Sequence, residues 1–164
     1  MQENRILFRI RLFIILFMIG LVISGITAFP IETELSFLVN HASSLPEAMQ
    51  SWLNRVHSAV GSVNTDYPFL SYGTDWLAFA HIVIAIAFIG PLMDPLKNVW
   101  VIKFGIIACL LVFPLALIAG FVRGIPFWWR LIDCSFGIIG LIPLIWSYWL
   151  IRKLEVLYST DRIT

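Results

Sequence analysis

Four long apolar stretches, separated by polar intervals, organise the chain. A helix needs about 20 mainly apolar residues to cross the hydrocarbon core of a bilayer. Lipid offers no hydrogen-bond partners to exposed backbone groups, so a segment that crosses it must be helical. The pattern therefore predicts four transmembrane helices, over residues 12–29, 76–93, 101–121 and 127–151.

The first stretch also has features of a secretory signal peptide. Arg5, Arg9 and Arg11 give it a basic start, and Ile26 with Ala28 fits a cleavage site. Its apolar run is about 18 residues long, whereas the apolar region of a signal peptide has roughly 7–15 residues. We expect the stretch to be retained as a membrane helix.

The polar interval 30–75 contains two shorter stretches in which apolar residues recur at helical spacing. One is "PIETELSFLVN", residues 30–40. The other is "SSLPEAMQSWLNRVHSAV", residues 43–60, with Ser44 as the expected N-cap. Neither is long and apolar enough to span a bilayer, so they predict two short amphipathic helices. Thr74 is expected to cap the second transmembrane helix.

Composition and charge agree with a membrane protein and predict its orientation. The chain is 60% hydrophobic and 13% charged, against roughly 25% charged residues in soluble domains. Lys and Arg concentrate on the cytoplasmic side of membrane proteins. With a cytoplasmic N-terminus, eight of the eleven basic residues lie inside: Arg5, Arg9, Arg11, Lys97, Lys103, Arg152, Lys153 and Arg162. The other three are Arg55, Arg123 and Arg130.

The predicted fold class is an all-α membrane protein, a four-transmembrane-helix bundle with a small extracytoplasmic cap of two short amphipathic helices. Residues 1–11, 94–100 and 152–164 are expected in the cytoplasm, and residues 30–75 and 122–126 outside it. Close packing of small residues holds membrane helices together. The expected helix contacts are Gly20, Ser24 and Ala28, then Gly105, Cys109, Ala116 and Gly120, and finally Gly137 and Gly140.

Ionisable residues inside a membrane helix are costly and indicate a functional site. His81 and Asp133 are predicted at the same depth, roughly 6–8 Å below the outer interface. Arg130 has the i, i+3 spacing that allows an ion pair with Asp133, and Arg123 can reach the same layer. Asp75 lies above His81. These five residues are the candidate ligand-binding set, with His81 and Asp133 as candidate catalytic residues.

Each of these residues also has a purely structural interpretation. Asp133 can be neutralised by a basic neighbour, and His81 can make an ordinary helix contact. The chain has no other histidine in a predicted membrane helix for a bis-histidine haem, and no C-x-x-C pair. We therefore predict no metal and no cofactor. No run of Lys or Arg indicates nucleic acid.

The stretches "SGITAFPIETEL", "YPFLSYGTDWLAFAH" and "RGIPFWWRLIDCSFG" resemble those of an uncharacterised family of small bacterial four-helix integral membrane proteins. The resemblance implies a bacterial origin, hence the inner membrane, and a four-helix fold. It implies no activity. The chain lacks the paired aspartates of lipoprotein signal peptidases and the C-x-x-C of vitamin K epoxide reductases.

Two functional hypotheses follow. The first is a binding or accessory protein that holds an anionic lipid headgroup, a partner membrane subunit or a second copy of itself. It predicts that Arg130 or Arg123 neutralises Asp133, with no cavity beside it. The second is a membrane enzyme in which His81 and Asp133 act as an acid–base pair on a lipid-borne substrate. It predicts that the pair lies within hydrogen-bond reach and lines a cavity. A small transporter subunit is a third, weaker hypothesis.

Overall fold

Helices make up nearly all of the structure, a computed structural model that describes the backbone of residues 2–161 and the side chains of residues 3–159. No strand occurs in that range. Arg162, one of the eight basic residues assigned to the cytoplasm, lies outside the described residues. The helices are α1 (Gln2–Ala28), α2 (Ile31–Asn40), α3 (Glu47–Asp66), α4 (Pro68–Ala87), α5 (Ile89–Met93), α6 (Val99–Pro114), α7 (Gly120–Val122) and α8 (Phe127–Asp161).

Four helical stretches among the described residues are long and apolar enough to cross a membrane. They are Glu3–Ala28, Pro68–Met93, Val99–Val122 and Phe127–Ser159. Each contains most of one predicted apolar stretch, which confirms the number and order of the long helices. Helix formation extends beyond the apolar residues themselves, because a helix that has started continues as long as each added residue gains a backbone hydrogen bond.

The start of α4 corrects the sequence prediction. The helix begins at Pro68, where proline is tolerated because the first turn needs no N–H donors. Thr74 therefore lies inside the helix and does not cap it. Ser44 also fails as an N-cap, because it belongs to a short 3-10 turn, Ala42–Ser44. The residue before α3 is Pro46, which makes no side-chain capping bond.

The chain forms two compact units. The first contains Met1–Gly20 and Ala85–Thr164, and the second contains Leu21–Ile84. The core of the first unit is a set of large apolar side chains from α1, α6 and α8, together with Phe88 from the short link between α4 and α5. Its fully buried members include Ile10, Ile14, Phe88, Ile102, Leu144 and Ile151.

Glycines set the spacing of α6 and α8 within the first unit. A Cβ atom at Gly137 would lie 2.8 Å from the carbonyl oxygen of Cys109, and one at Gly140 would lie 2.8 Å from its Sγ. A Cβ atom at Gly105 would lie 2.7 Å from the Phe88 ring. These three glycines confirm the predicted small-residue contacts, because only a hydrogen atom fits in the space available.

The second unit combines the packing of α2 against α3, a close approach of α1 to α4, and a polar cluster on α2, α3 and α4. Gly25 faces the carbonyl oxygen of Ala78 so closely that a Cβ atom would lie 2.7 Å from it. Gly20, by contrast, has no neighbouring atom within 4 Å. The predicted helix contact at Gly20 is therefore wrong, and Gly25 provides the close approach. In the polar cluster, Asn64 hydrogen-bonds both Glu32 and Ser71.

The link between α5 and α6 is ordered by side chains. Asn98 donates from Nδ2 to the carbonyl oxygens of Gly90, at 3.1 Å, and Asp94, at 3.0 Å. The Asp94 carboxylate accepts the backbone N–H of Lys97 at 3.1 Å and lies 3.3 Å from its Nζ. These bonds favour the charged carboxylate and hold the pKa of Asp94 below its usual value.

This link predicts a pH-dependent contribution to stability. A carboxyl group whose pKa is lowered by folding stabilises the fold fully above its unfolded pKa, and the contribution disappears as the pH falls through the folded pKa. We expect Asp94→Asn to lower the melting temperature in detergent slightly at pH 7. The difference from the parent protein should begin to shrink as the pH falls below about 4, the ordinary pKa of an aspartate, and should vanish only below the lower pKa of the folded protein. A difference that stays constant with pH would show that the carboxylate charge contributes nothing.

Candidate functional site

A groove in the first unit combines apolar side chains with two charged groups. It has a volume of about 300 Å³, at the small end of the roughly 300–1,000 Å³ of ligand pockets. We call it the Arg123 groove. Its lining residues are Val112, Leu115, Ala116, Ala119, Gly120, Arg123, Ile125 and Asp133.

Local helix geometry produces the groove. Pro114 ends the regular part of α6, and the next five residues, Leu115–Ala119, form a π-helical turn. Proline lacks the N–H that an α-helix needs at that position, and such wide turns are common where the regular bonding pattern is interrupted. Ala116, Ala119 and Gly120 then present small side chains, so the surface stays concave. The groove was not predicted from the sequence.

The end of α7 places Arg123 at one end of the groove. Gly124 has φ +68°, which favours glycine because a Cβ atom clashes in that region. The N–H of Gly124 donates to the carbonyl oxygen of Phe121, and the N–H of Ile125 donates to the carbonyl oxygen of Gly120. This pair of bonds is a Schellman termination. It leaves Arg123, the last residue before the turn, exposed.

Arg130 does not form the predicted ion pair with Asp133. Its Nη1 donates to the carbonyl oxygen of Leu117 at 3.3 Å, and its Cζ lies 5.3 Å from the centre of the Phe127 ring. The side chain crosses Gly120 so closely that a Cβ atom there would lie 2.5 Å from its Cδ. Arg130 is therefore directed at the π-helical turn, because Leu117 belongs to that turn.

Asp133 is half-buried and lines the Arg123 groove. The ion pairs among the described residues are Asp94 with Lys97 and Arg152 with Glu155, so no basic group neutralises Asp133 there. This contradicts the expectation that Arg130 or Arg123 saturates the carboxyl group and that no cavity adjoins it. Asp133 instead lines space that a ligand can occupy.

The contacts of α8 with α6 and α7 define an order along the groove. Gly120 lies beside Arg130, and Val112 lies beside Gly137. The segment from α6 to α7 therefore runs antiparallel to α8. Asp133 is consequently level with Ala116, seven residues before Arg123. At a rise of 1.5 Å per residue the backbone separation along the axis is roughly 10 Å. From one end, the groove presents a cation, then a carboxyl group, then only apolar side chains.

His81 belongs to the second unit, whereas every residue that lines the Arg123 groove belongs to the first. Its Nδ1 lies 2.8 Å from the carbonyl oxygen of Leu77. A carbonyl only accepts, so Nδ1 carries the proton and Nε2 is left as an acceptor in the neutral ring. The meeting of His81 with Asp133, and a ligand role for Asp75, stay predictions.

The two cysteines and a pair of tryptophans do not line the Arg123 groove. Cys109 and Cys134 are buried free thiols, and the described residues hold no group of three or more potential metal ligands. Trp128 and Trp129, in the first turn of α8, pack edge to face with ring centres 5.5 Å apart.

The sequence identified both charged residues of the groove but not its apolar wall. The missed signal was the run of small residues after Pro114, which in combination with a helix-breaking residue indicates a concave surface.

Comparison with protein-family models, with curated proteins and with solved structures finds no match to this chain.

Proposed function

We propose that the chain is a multi-pass protein of the bacterial inner membrane that binds the phosphate headgroup of a lipid in the Arg123 groove. Four candidate spans support insertion, and the excess of Lys and Arg in the assigned cytoplasmic segments supports cytoplasmic termini. In this orientation α2 and α3 form an extracytoplasmic cap. The Arg123 groove then opens near the outer surface of the membrane.

One observation carries the proposal: among the described residues, the side chain of Arg123 makes no hydrogen bond or ion pair, and it lies at the end of a groove that is otherwise nearly all apolar. A guanidinium group binds phosphate oxygens through paired hydrogen bonds. The apolar wall formed by Val112, Leu115 and Ala116 suits a hydrocarbon chain. A lipid supplies both parts in one molecule, whereas a soluble phosphate supplies only the first.

Arg123→Gln tests the proposal. A hydrogen bond to a charged group contributes about 1.5–3 kcal/mol, so we expect affinity for a lipid phosphate monoester to fall about 10- to 100-fold. Native mass spectrometry of the protein in detergent, titrated with dioleoyl phosphatidic acid, measures the change. Inorganic phosphate serves as a second probe and is expected to compete weakly.

The matched control is Arg55→Gln. Arg55 is an exposed arginine of α3, and it does not line the Arg123 groove. Both variants lose one positive charge, so non-specific attraction to an anionic lipid falls equally in the two. Equal affinities for Arg123→Gln and Arg55→Gln would contradict the proposal, and so would competition by inorganic phosphate as strong as that of the lipid.

A second candidate function is a membrane enzyme, and the open position of Asp133 favours it. A carboxyl group that lines a groove and has no ion pair is available as a general base towards a bound hydroxyl group. His81, the acid–base partner predicted from the sequence, belongs to the second unit. Turnover of a groove-bound lipid that Asp133→Asn abolishes, while lipid binding persists, would distinguish this function from binding alone.

A further inference from the structure

We infer that the Arg123 groove selects a lysophospholipid, a single-chain phospholipid whose glycerol carries a free hydroxyl group. The inference rests on the proposed binding of a lipid phosphate at Arg123. It adds a second polar contact, between the ligand's hydroxyl group and the Asp133 carboxyl group. The reasons are the order of charges along the groove, the chemistry of a carboxyl group and the size of the space.

The order of Arg123, Asp133 and the apolar wall along the groove excludes most phospholipid headgroups as the partner of Asp133. Asp133 is level with Ala116 and lies between Arg123 and the purely apolar part of the wall. A ligand whose phosphate is at Arg123 and whose chain lies along Val112 and Leu115 therefore presents its glycerol to Asp133. The amine of an aminophospholipid is attached on the opposite side of the phosphate from the chains. It would point away from this carboxyl group.

The ionised form of Asp133 requires a hydrogen-bond donor at that level, because a carboxylate only accepts hydrogen bonds. A glycerol with both remaining hydroxyl groups esterified offers ester oxygens, which are acceptors only. Such a ligand would leave the half-buried carboxyl group desolvated and unpaired, which is costly. A free hydroxyl group next to the acyl ester donates to it.

The size of the groove agrees with one chain. Its volume of about 300 Å³ lies at the lower limit for pockets that hold drug-sized ligands. Near Gly137, α6 and α8 are in direct contact, because a Cβ atom at Gly137 would lie 3.4 Å from the Cβ atom of Val112. Val112 also lines the groove, so this contact limits the space at its apolar end to one acyl chain.

Binding of three synthetic lipids tests the inference. They are 1-oleoyl glycerol 3-phosphate, its analogue without the hydroxyl group (1-oleoyl propanediol 3-phosphate) and dioleoyl phosphatidic acid. We expect the parent protein to bind the hydroxyl-bearing single-chain lipid about tenfold more tightly than the analogue, because the analogue lacks one hydrogen bond to the carboxyl group. We expect dioleoyl phosphatidic acid to bind more weakly than the hydroxyl-bearing lipid.

Two variants separate the contacts. Asp133→Ala should reduce the preference for the hydroxyl-bearing lipid over its analogue to about one, while Asp133→Asn, whose amide oxygen still accepts, should retain part of it. Arg123→Gln should weaken both lipids equally and keep the preference. If an Asp133 variant fails to fold, the comparison of the first two lipids in the parent protein remains decisive.

The results also distinguish failure of this inference from failure of the proposed function. If the parent protein binds the two single-chain lipids equally, and Arg123→Gln still weakens both, lipid-phosphate binding stands and the role of Asp133 is wrong. If Arg123→Gln changes neither affinity, the proposed function itself is wrong. A tighter complex with dioleoyl phosphatidic acid than with the hydroxyl-bearing lipid would overturn the selection of a single chain.

Discussion

Gly137→Ala is expected to destabilise the protein by about 1–3 kcal/mol, the range for inserting a methyl group into a well-packed contact. The added Cβ atom would lie 2.8 Å from the Cys109 carbonyl oxygen. That oxygen belongs to the backbone of α6, so no rotamer change relieves the clash and the two helices must separate. The free energy of unfolding in mixed detergent micelles measures the effect.

Gly140 provides the comparison for this prediction. Its closest neighbour is the Sγ atom of Cys109, at 2.8 Å, which is a side-chain atom. The cost of Gly140→Ala should therefore fall when Cys109 is replaced by alanine, whereas the cost of Gly137→Ala should not. Equal rescue of both glycine variants by Cys109→Ala would contradict the backbone contact between α6 and α8.

Gly25→Ala is expected to destabilise the second unit by a similar amount, about 1–3 kcal/mol. A Cβ atom at this position would lie 2.7 Å from the Ala78 carbonyl oxygen and 3.0 Å from the Cγ1 atom of Ile82. Because the first of these is backbone, α1 and α4 have to move apart. Hydrogen exchange of residues 21–84 should increase in the variant.

Gly20→Ala is the matched control on the same helix. Nothing lies within 4 Å of the position that its Cβ atom would take, and alanine favours a helix over glycine by roughly 1 kcal/mol. We expect unchanged or slightly raised stability. A loss as large as that of Gly25→Ala would mean that the contact face of α1 passes through Gly20, as the sequence pattern alone suggested.

The long helices were predictable because nearly every residue of an apolar stretch contributes to its hydrophobicity. A helix formed by each stretch is about as long as a bilayer is thick, and the replacement of one residue would change this little. The helix ends were less predictable. Thr74 and Ser44 have the right chemistry for capping, but Pro68 and Pro46 lie at the actual starts, since continued backbone hydrogen bonding outweighed a local side-chain preference.

The candidate site was predictable as a set of residues but not as an arrangement. Arg123 and Asp133 share a groove, and both stood out as charges close to apolar sequence. Arg130 stood out for the same reason, yet its guanidinium group bonds the Leu117 carbonyl. The i, i+3 spacing within α8 predicted an ion pair between Arg130 and Asp133. The acceptor that Arg130 bonds instead belongs to a π-helical turn between α6 and α7, which no pattern in α8 indicates.

The sequence by itself determined the class of this protein: four helices long and apolar enough to cross a membrane, with a polar helical segment between the first two. Those features follow from hydrophobicity and helical period, which are properties of consecutive residues. Only the tertiary structure decided that Gly25, not Gly20, contacts a neighbouring helix, and that Asp133 faces an open groove. Both depend on how a helix is rotated about its axis, which is set by packing against residues distant in the chain.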